Sequence, residues 1–109
     1  MIDEATFRHA ADSALESLFH ALSRAGDSHD FEADRNSGAL TIEFEDPPAK
    51  FVVSPNAPVR QIWLSAHSKS FKLDWNPAAG AFQLPATGQS LAALVAEQIS
   101  LRLGEEVSL

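Results

Sequence analysis

The sequence predicts an α+β fold: a two-layer α/β sandwich in which an N-terminal and a C-terminal helix pack on one face of a five- to six-stranded antiparallel sheet. Three observations lead there. Apolar residues recur at three- and four-residue spacing near both ends, and through the middle they alternate with polar ones. Clusters of Gly, Pro, Asn and Asp divide that middle into short runs. Two amphipathic helices and one meandering sheet satisfy each other when both helices cover the same sheet face. The opposite face then stays wet.

The first helix is expected from about Asp3 to Ala25, with Phe7, Ala11, Ala14, Leu15, Leu18 and Leu22 on one side. Asp3 and Glu4 suit its positive N-terminus, and Gly26-Asp27-Ser28 is the expected stop. Asn36-Ser37-Gly38 reads as a hairpin turn between Phe31–Asp34 and Leu40–Phe44, with Gly38 at positive φ and Leu40, Ile42 and Phe44 inward. Asp46-Pro47-Pro48 is expected to end that strand, since neither proline can donate to a ladder, and Lys50 to Ser54 forms the next. There, either Phe51 and Val53 or Val52 alone faces the core. Pro55-Asn56-Ala57-Pro58 is a further break before a strand of roughly Val59 to Ala66.

That strand contains Gln61-Ile62-Trp63-Leu64-Ser65. Period two puts Ile62 and Leu64 on one face and Gln61, Trp63 and Ser65 on the other, so Trp63 is predicted to stand outside the core. His67-Ser68-Lys69-Ser70 is read as the polar turn into Phe71-Lys72-Leu73-Asp74-Trp75. A tryptophan among polar neighbours is a natural anchor for a protein partner; the competing reading is a residue capping one edge of the core. Asn76 to Gly80 forms another turn, and Ala81 to Leu84 a closing strand. Ser90 then caps a second helix with Leu91, Leu94, Val95, Ile99 and Leu101 on its buried side, ended by Gly104 and followed by a tail that folds back.

A chain of 109 residues, 45% hydrophobic, is expected to be a single domain over 1–109 with a core of its own. No apolar run is long enough to span a bilayer, and the first residues have neither the basic nor the apolar segment of a signal peptide. They are also too acidic for a mitochondrial transit peptide, so the expected location is cytoplasmic, with no membrane partner. The absence of cysteine excludes disulfides, thiolate metal sites and a cysteine nucleophile. A formal charge of −7 argues against nucleic acid and for a cation or a basic protein surface.

Asp12, Glu16 and His20 form an i, i+4, i+8 row on the polar side of the first helix, and Asp27, His29, Asp30, Glu32 and Asp34 crowd the entry to the first strand. Carboxylates with an occasional imidazole suit hard or borderline cations bound weakly, without a closed cage. The plainer alternative is a solvated helix face. No phosphate loop, metalloprotease pattern or nucleophile elbow occurs, and the spacing of His9, His20, His29 and His67 does not fit a tight zinc site.

The Gln61-Ile62-Trp63-Leu64-Ser65 run, the short polar turn and the strand ending in Asp74-Trp75 resemble the central signature of the frataxin family. The acidic N-terminal helix, Asn36 to Phe44 as first hairpin, and Ser90-Leu91 opening the last helix extend the resemblance over almost the whole chain, and the compact length points to the bacterial, CyaY-type branch. The resemblance implies a non-enzymatic iron chaperone or regulator of iron–sulfur cluster assembly. Iron (Fe2+ or Fe3+) would be bound weakly on an acidic ridge, carried over here to Glu4, Asp12, Glu16, His20, Asp27, Asp30 and Glu32. The same ridge would dock on a cysteine desulfurase, while Gln61 and Trp63 on the sheet would contact the iron–sulfur scaffold protein.

A monomer is expected; the alternative is a ferroxidase or iron-storage oligomer that assembles with iron. The chain departs from the family pattern at His20-Ala21-Leu22-Ser23-Arg24-Ala25, where bacterial members carry a dense acidic run and this one has no carboxylate. Iron capacity is therefore expected to be lower, or shifted towards Asp27, His29 and Asp30.

Overall fold

The computed structural model describes residues 2–36, 38–45 and 48–109. Its elements are α1 (Glu4–Gly26), β1 (Glu32–Asn36), β2 (Ala39–Glu45), β3 (Pro48–Asn56), a 3-10 turn (Ala57–Val59), β4 (Gln61–Ala66), β5 (Lys69–Asn76), β6 (Ala81–Gln83) and α2 (Leu91–Leu103). The six strands form one antiparallel sheet in chain order, β1-β2-β3-β4-β5-β6. The expected α+β sandwich is therefore the architecture of the chain, with both helices packed against this sheet.

Helix α1 starts where Asp3 accepts a hydrogen bond from the Thr6 backbone N–H at 2.8 Å. That bond, joined by one from the Thr6 hydroxyl, holds the Asp3 carboxyl below the ordinary carboxylate range. Because the folded value is depressed, the stabilisation is present above the unfolded value and is lost as pH falls through the folded one. Asn keeps the acceptor oxygen without the titrating charge. Asp3→Asn is thus expected to narrow the gap between the melting temperatures at neutral pH and at about pH 3, below the ordinary range of Asp. An unchanged gap in thermal melts would count against the cap as its source.

Phe7, Ala11, Leu15, Leu18 and Leu22 on α1 are all buried, as their spacing predicts, while Ala14 is only half-buried. They meet Leu40, Ile42, Phe51, Val53, Ile62, Leu64, Leu73 and Phe82 from the strands and Leu91, Leu94, Val95 and Ile99 from α2 in one core. Phe51 and Val53, rather than Val52, are thus the inward residues of β3. Phe7 and Phe82 meet edge to face, with ring centroids 5.7 Å apart.

Several boundaries differ from the sequence reading. Strand β3 runs from Pro48 through Pro55 to Asn56, longer than Lys50 to Ser54. Its pairing with β2 ends at Val53, so Pro55 has only β4 beside it, where a strand tolerates a missing N–H. Strand β4 begins at Gln61 instead of Val59, because Ala57–Val59 is a 3-10 turn and Arg60 is left-handed at φ 54°; Val59 is 44% exposed. Gly38 has the expected positive φ, whereas Ser37, Asp46 and Pro47 of the two expected turns lie outside the described residues.

In α2, Leu101 is 66% exposed, not buried. The stripe at Leu91, Leu94, Val95 and Ile99 has rotated away by residue 101, and the buried position between them is taken by Gln98, 5% exposed. Gly104 at φ 70° ends the helix as expected. The tail folds back: Val107 is buried, and its N–H donates to Ser100 Oγ at 2.9 Å.

Candidate functional site

The sheet register divides the strand residues between two faces. Ala33 and Arg35 on β1 lie across from Ile42 and Leu40 and so share the core face, while Glu32 and Asp34 lie across from Glu43 and Thr41 on the open face. The next strands place Lys50 opposite Glu43, Ser54 opposite Trp63, Lys72 opposite Trp63, and Gln61 opposite Asp74. Trp63 is therefore on the open face, as period two predicts. It is half-buried there, held by its neighbours.

Its indole N–H donates to Gln61 Oε1 at 2.9 Å, and Gln61 Nε2 donates in turn to Asp74 Oδ1 at 2.9 Å. The Lys72 ammonium sits 5.1 Å from the Trp63 ring centroid, a cation–π contact. Taking His67 to Ser70 as the turn sets Asp74 across from Trp63, so sequence reasoning does not pair Asp74 with Gln61. The turn is only His67-Ser68, both left-handed at φ 51° and 62°, in the manner of a two-residue hairpin turn built without glycine. Shortening the turn by two residues moves Lys72, instead of Asp74, directly across from Trp63.

The ridge residues are spread out. Glu4 and Asp27 stand at opposite ends of α1, roughly 35 Å apart at about 1.5 Å per residue, so the seven cannot ligate one ion. Asp12, Glu16 and His20 are exposed along one side of the helix, Asp27 and Asp30 are exposed at its C-terminal end, and Glu32 faces away on the open sheet surface. Among the described residues, no three His, Asp or Glu side chains come together in a group that could hold a metal ion. A closed cage is not what this arrangement offers; one or two carboxylates with water is.

Several of these acids already have partners. Glu4 pairs with Arg8 at 3.5 Å, Asp12 with Arg35 at 3.2 Å, and Glu16 lies 3.7 Å from His20. His29 approaches Glu105 at 3.2 Å, tying the loop after α1 to the segment after α2. Exposed pairs of this kind are worth about 0–1 kcal/mol each, so they thin the ridge potential without closing it to a competing cation. Arg35 could not be foreseen as a ridge residue, since its reach to Asp12 depends on how α1 lies against β1. On the open face, Glu32 sits directly across from Glu43, a like-charge pair with Lys50 on its far side.

A further concavity lies elsewhere among the described residues. A groove of about 640 Å³ runs between α1, the β5–β6 end and the start of α2, lined by residues such as Ala14, Leu18, Trp75, Phe82 and Leu91, with Leu109 at its edge. It includes none of the ridge acids and neither Gln61 nor Trp63. No described helix is long and apolar enough to cross a membrane.

Comparison with known proteins places this geometry. A frataxin-like domain model matches residues 1–105. The iron-sulfur cluster assembly protein CyaY of Azotobacter vinelandii is 33% identical over 78 residues, covering 72% of this chain and 70% of that protein. The protein of the same name from Pseudomonas aeruginosa is 29% identical over 106 residues, covering 97% and 95%. A solved frataxin of Psychromonas ingrahamii, from the CyaY family, superposes with a TM-score of 0.83 over 98% of this chain and 97% of its own, at 22% identity, a likeness of fold. With the six-strand meander, the two helices on one face and the Gln61–Trp63 strand in place, the chain belongs to the frataxin-like family, as a bacterial member of the CyaY type.

Proposed function

We propose that this protein is a non-enzymatic accessory of iron–sulfur cluster assembly. It binds iron weakly as cargo on its acidic ridge and docks on a cysteine desulfurase and its scaffold protein, as an iron donor or an iron-dependent regulator. The observation that carries this reading is Trp63, fixed half-exposed on an open sheet face and fringed by polar side chains. An aromatic anchor on a polar rim is the usual make-up of a binding hot spot. The relatives that carry the name of iron–sulfur cluster assembly proteins support the same reading, and a cytoplasmic setting belongs to it.

The ridge supports an electrostatic role. Exposed carboxylates on α1, on the loop after it and on β1 belong to a chain of formal charge −7, which attracts cations and steers basic surfaces towards it. Iron and a desulfurase would then compete for overlapping acids. Paired acids such as Asp12 give up an arginine to bind iron, whereas Asp27 and Asp30 form no ion pair among the described residues, so the C-terminal end of α1 is the expected first site. The ferroxidase or storage reading asks for ligands converging from facing helices, whereas α1 presents Glu4, Asp12 and Glu16 to solvent and α2 presents Glu97 alone among its described residues.

The decisive measurement is cysteine desulfurase activity with and without the protein at several iron concentrations; an activity independent of both overturns the reading. In a titration of isotopically labelled protein with Fe(II), paramagnetic broadening is expected to begin at Asp27 and Asp30 and to spread to Asp12, Glu16, His20 and Glu32. Half-saturation in the micromolar range or weaker is expected for so few protein ligands, that is, a binding free energy no stronger than about −8 kcal/mol. Broadening confined to other segments would remove the ridge as the iron site.

A further inference from the structure

We propose that Asp74 is a positioning residue for Trp63, acting through the amide of Gln61 to fix the face that the indole offers to a partner. This rests on the docking role proposed above and adds to it a residue that itself need not touch the partner. Three side chains in adjacent register form a directed chain. Trp63 Nε1–H donates to Gln61 Oε1 at 2.9 Å, and Gln61 Nε2–H donates to Asp74 Oδ1 at 2.9 Å.

Chemistry at the two ends fixes the direction. An indole N–H only donates and a carboxylate only accepts, so the amide between them has one orientation that satisfies both. Gln83, across from Asp74 on the other side, accepts a hydrogen bond at Oε1 from Asn76 Nδ2 at 2.8 Å. Lys72, across from Trp63, covers the ring at 5.1 Å. The indole is thus held from its N–H edge and from one face. What it presents is apolar ring surface beside the Lys72 ammonium, its own N–H already donated to Gln61.

Asp74→Asn removes the directionality. An asparagine amide can donate to Gln61 Oε1 as well as accept from Nε2, so the Gln61 amide can turn and present Nε2–H to the indole N–H, donor against donor. In the free protein, the Trp63 indole N–H resonance of Asp74→Asn is expected to shift and its solvent exchange to accelerate about fivefold, the loss of one net hydrogen bond. The indole of Trp75, which packs on Phe82 at 5.2 Å, should not move and so reports an intact fold. Asp74→Glu should restore most of the wild-type exchange. Gln61→Met should produce the same acceleration, and adding Asp74→Asn to it should change nothing further.

Scaffold affinity, measured on the same variants, should fall about fivefold in Asp74→Asn and not fall further in the double variant. An unchanged Trp63 resonance in Asp74→Asn overturns the positioning role whatever the scaffold does. A shifted resonance with unchanged scaffold affinity upholds positioning and counts against docking through Trp63.

Discussion

Trp63→Ala should weaken binding of the iron–sulfur scaffold protein by about 30-fold or more, the effect of removing a hot-spot anchor worth about 2 kcal/mol. The indole is partly covered by its own sheet, so the ring reaches the interface with little freedom left to lose on binding. The same cover sets the cost to the fold. The variant forfeits one cation–π contact and one part-buried hydrogen bond, and stability should drop by about 1–2 kcal/mol. Calorimetric titration against the scaffold, paired with a thermal melt, separates the two effects. An affinity within a factor of three of wild type would remove Trp63 from the interface.

The neighbouring residue should behave in the opposite way. Leu64→Ala is expected to destabilise the protein by about 2–5 kcal/mol, the range for truncating a fully buried leucine in a core that relaxes incompletely. Leu64 has no exposure and pairs with Val53 on β3 and Phe71 on β5, within the core to which both helices contribute. Against a total stability of about 5–15 kcal/mol for a domain of this size, such a loss would be visible as a large fall in denaturation midpoint. At temperatures where the variant remains folded, its scaffold affinity should match wild type. A stability change below about 1 kcal/mol in a urea titration would mean that the inward assignment of Leu64 is wrong. Two adjacent residues, one needed for binding and one for folding, are what strict alternation on a one-sided sheet requires.

Much of this was legible in the sequence, and the reasons are local. The buried stripe of α1, the Ser90 cap and Gly104 stop of α2, and the inward set Leu40, Ile42, Phe44, Ile62 and Leu64 follow from the 3.6 and 2.0 periods of backbone geometry and from cap chemistry. The same period placed Trp63 on the wet face. Leu101 was misread because an apolar residue outside the stripe looks like one inside it until the rotation is counted from Ile99.

The class of fold, the inward faces of β2 and β4 and the outward placement of Trp63 thus follow from the order of residues along the chain. Which side chains stand beside Trp63 and the ridge acids depends on how the segments pair in space. The His67-Ser68 turn takes two left-handed residues without a glycine to announce them, and its length sets Lys72 against Trp63 and Asp74 against Gln61. The lie of α1 on β1 brings Arg35 to Asp12, and the returning tail brings Glu105 to His29. Period is a property of one chain segment, whereas register and docking depend on two, and it is at those pairings that the ridge is partly neutralised and the tryptophan is held in place.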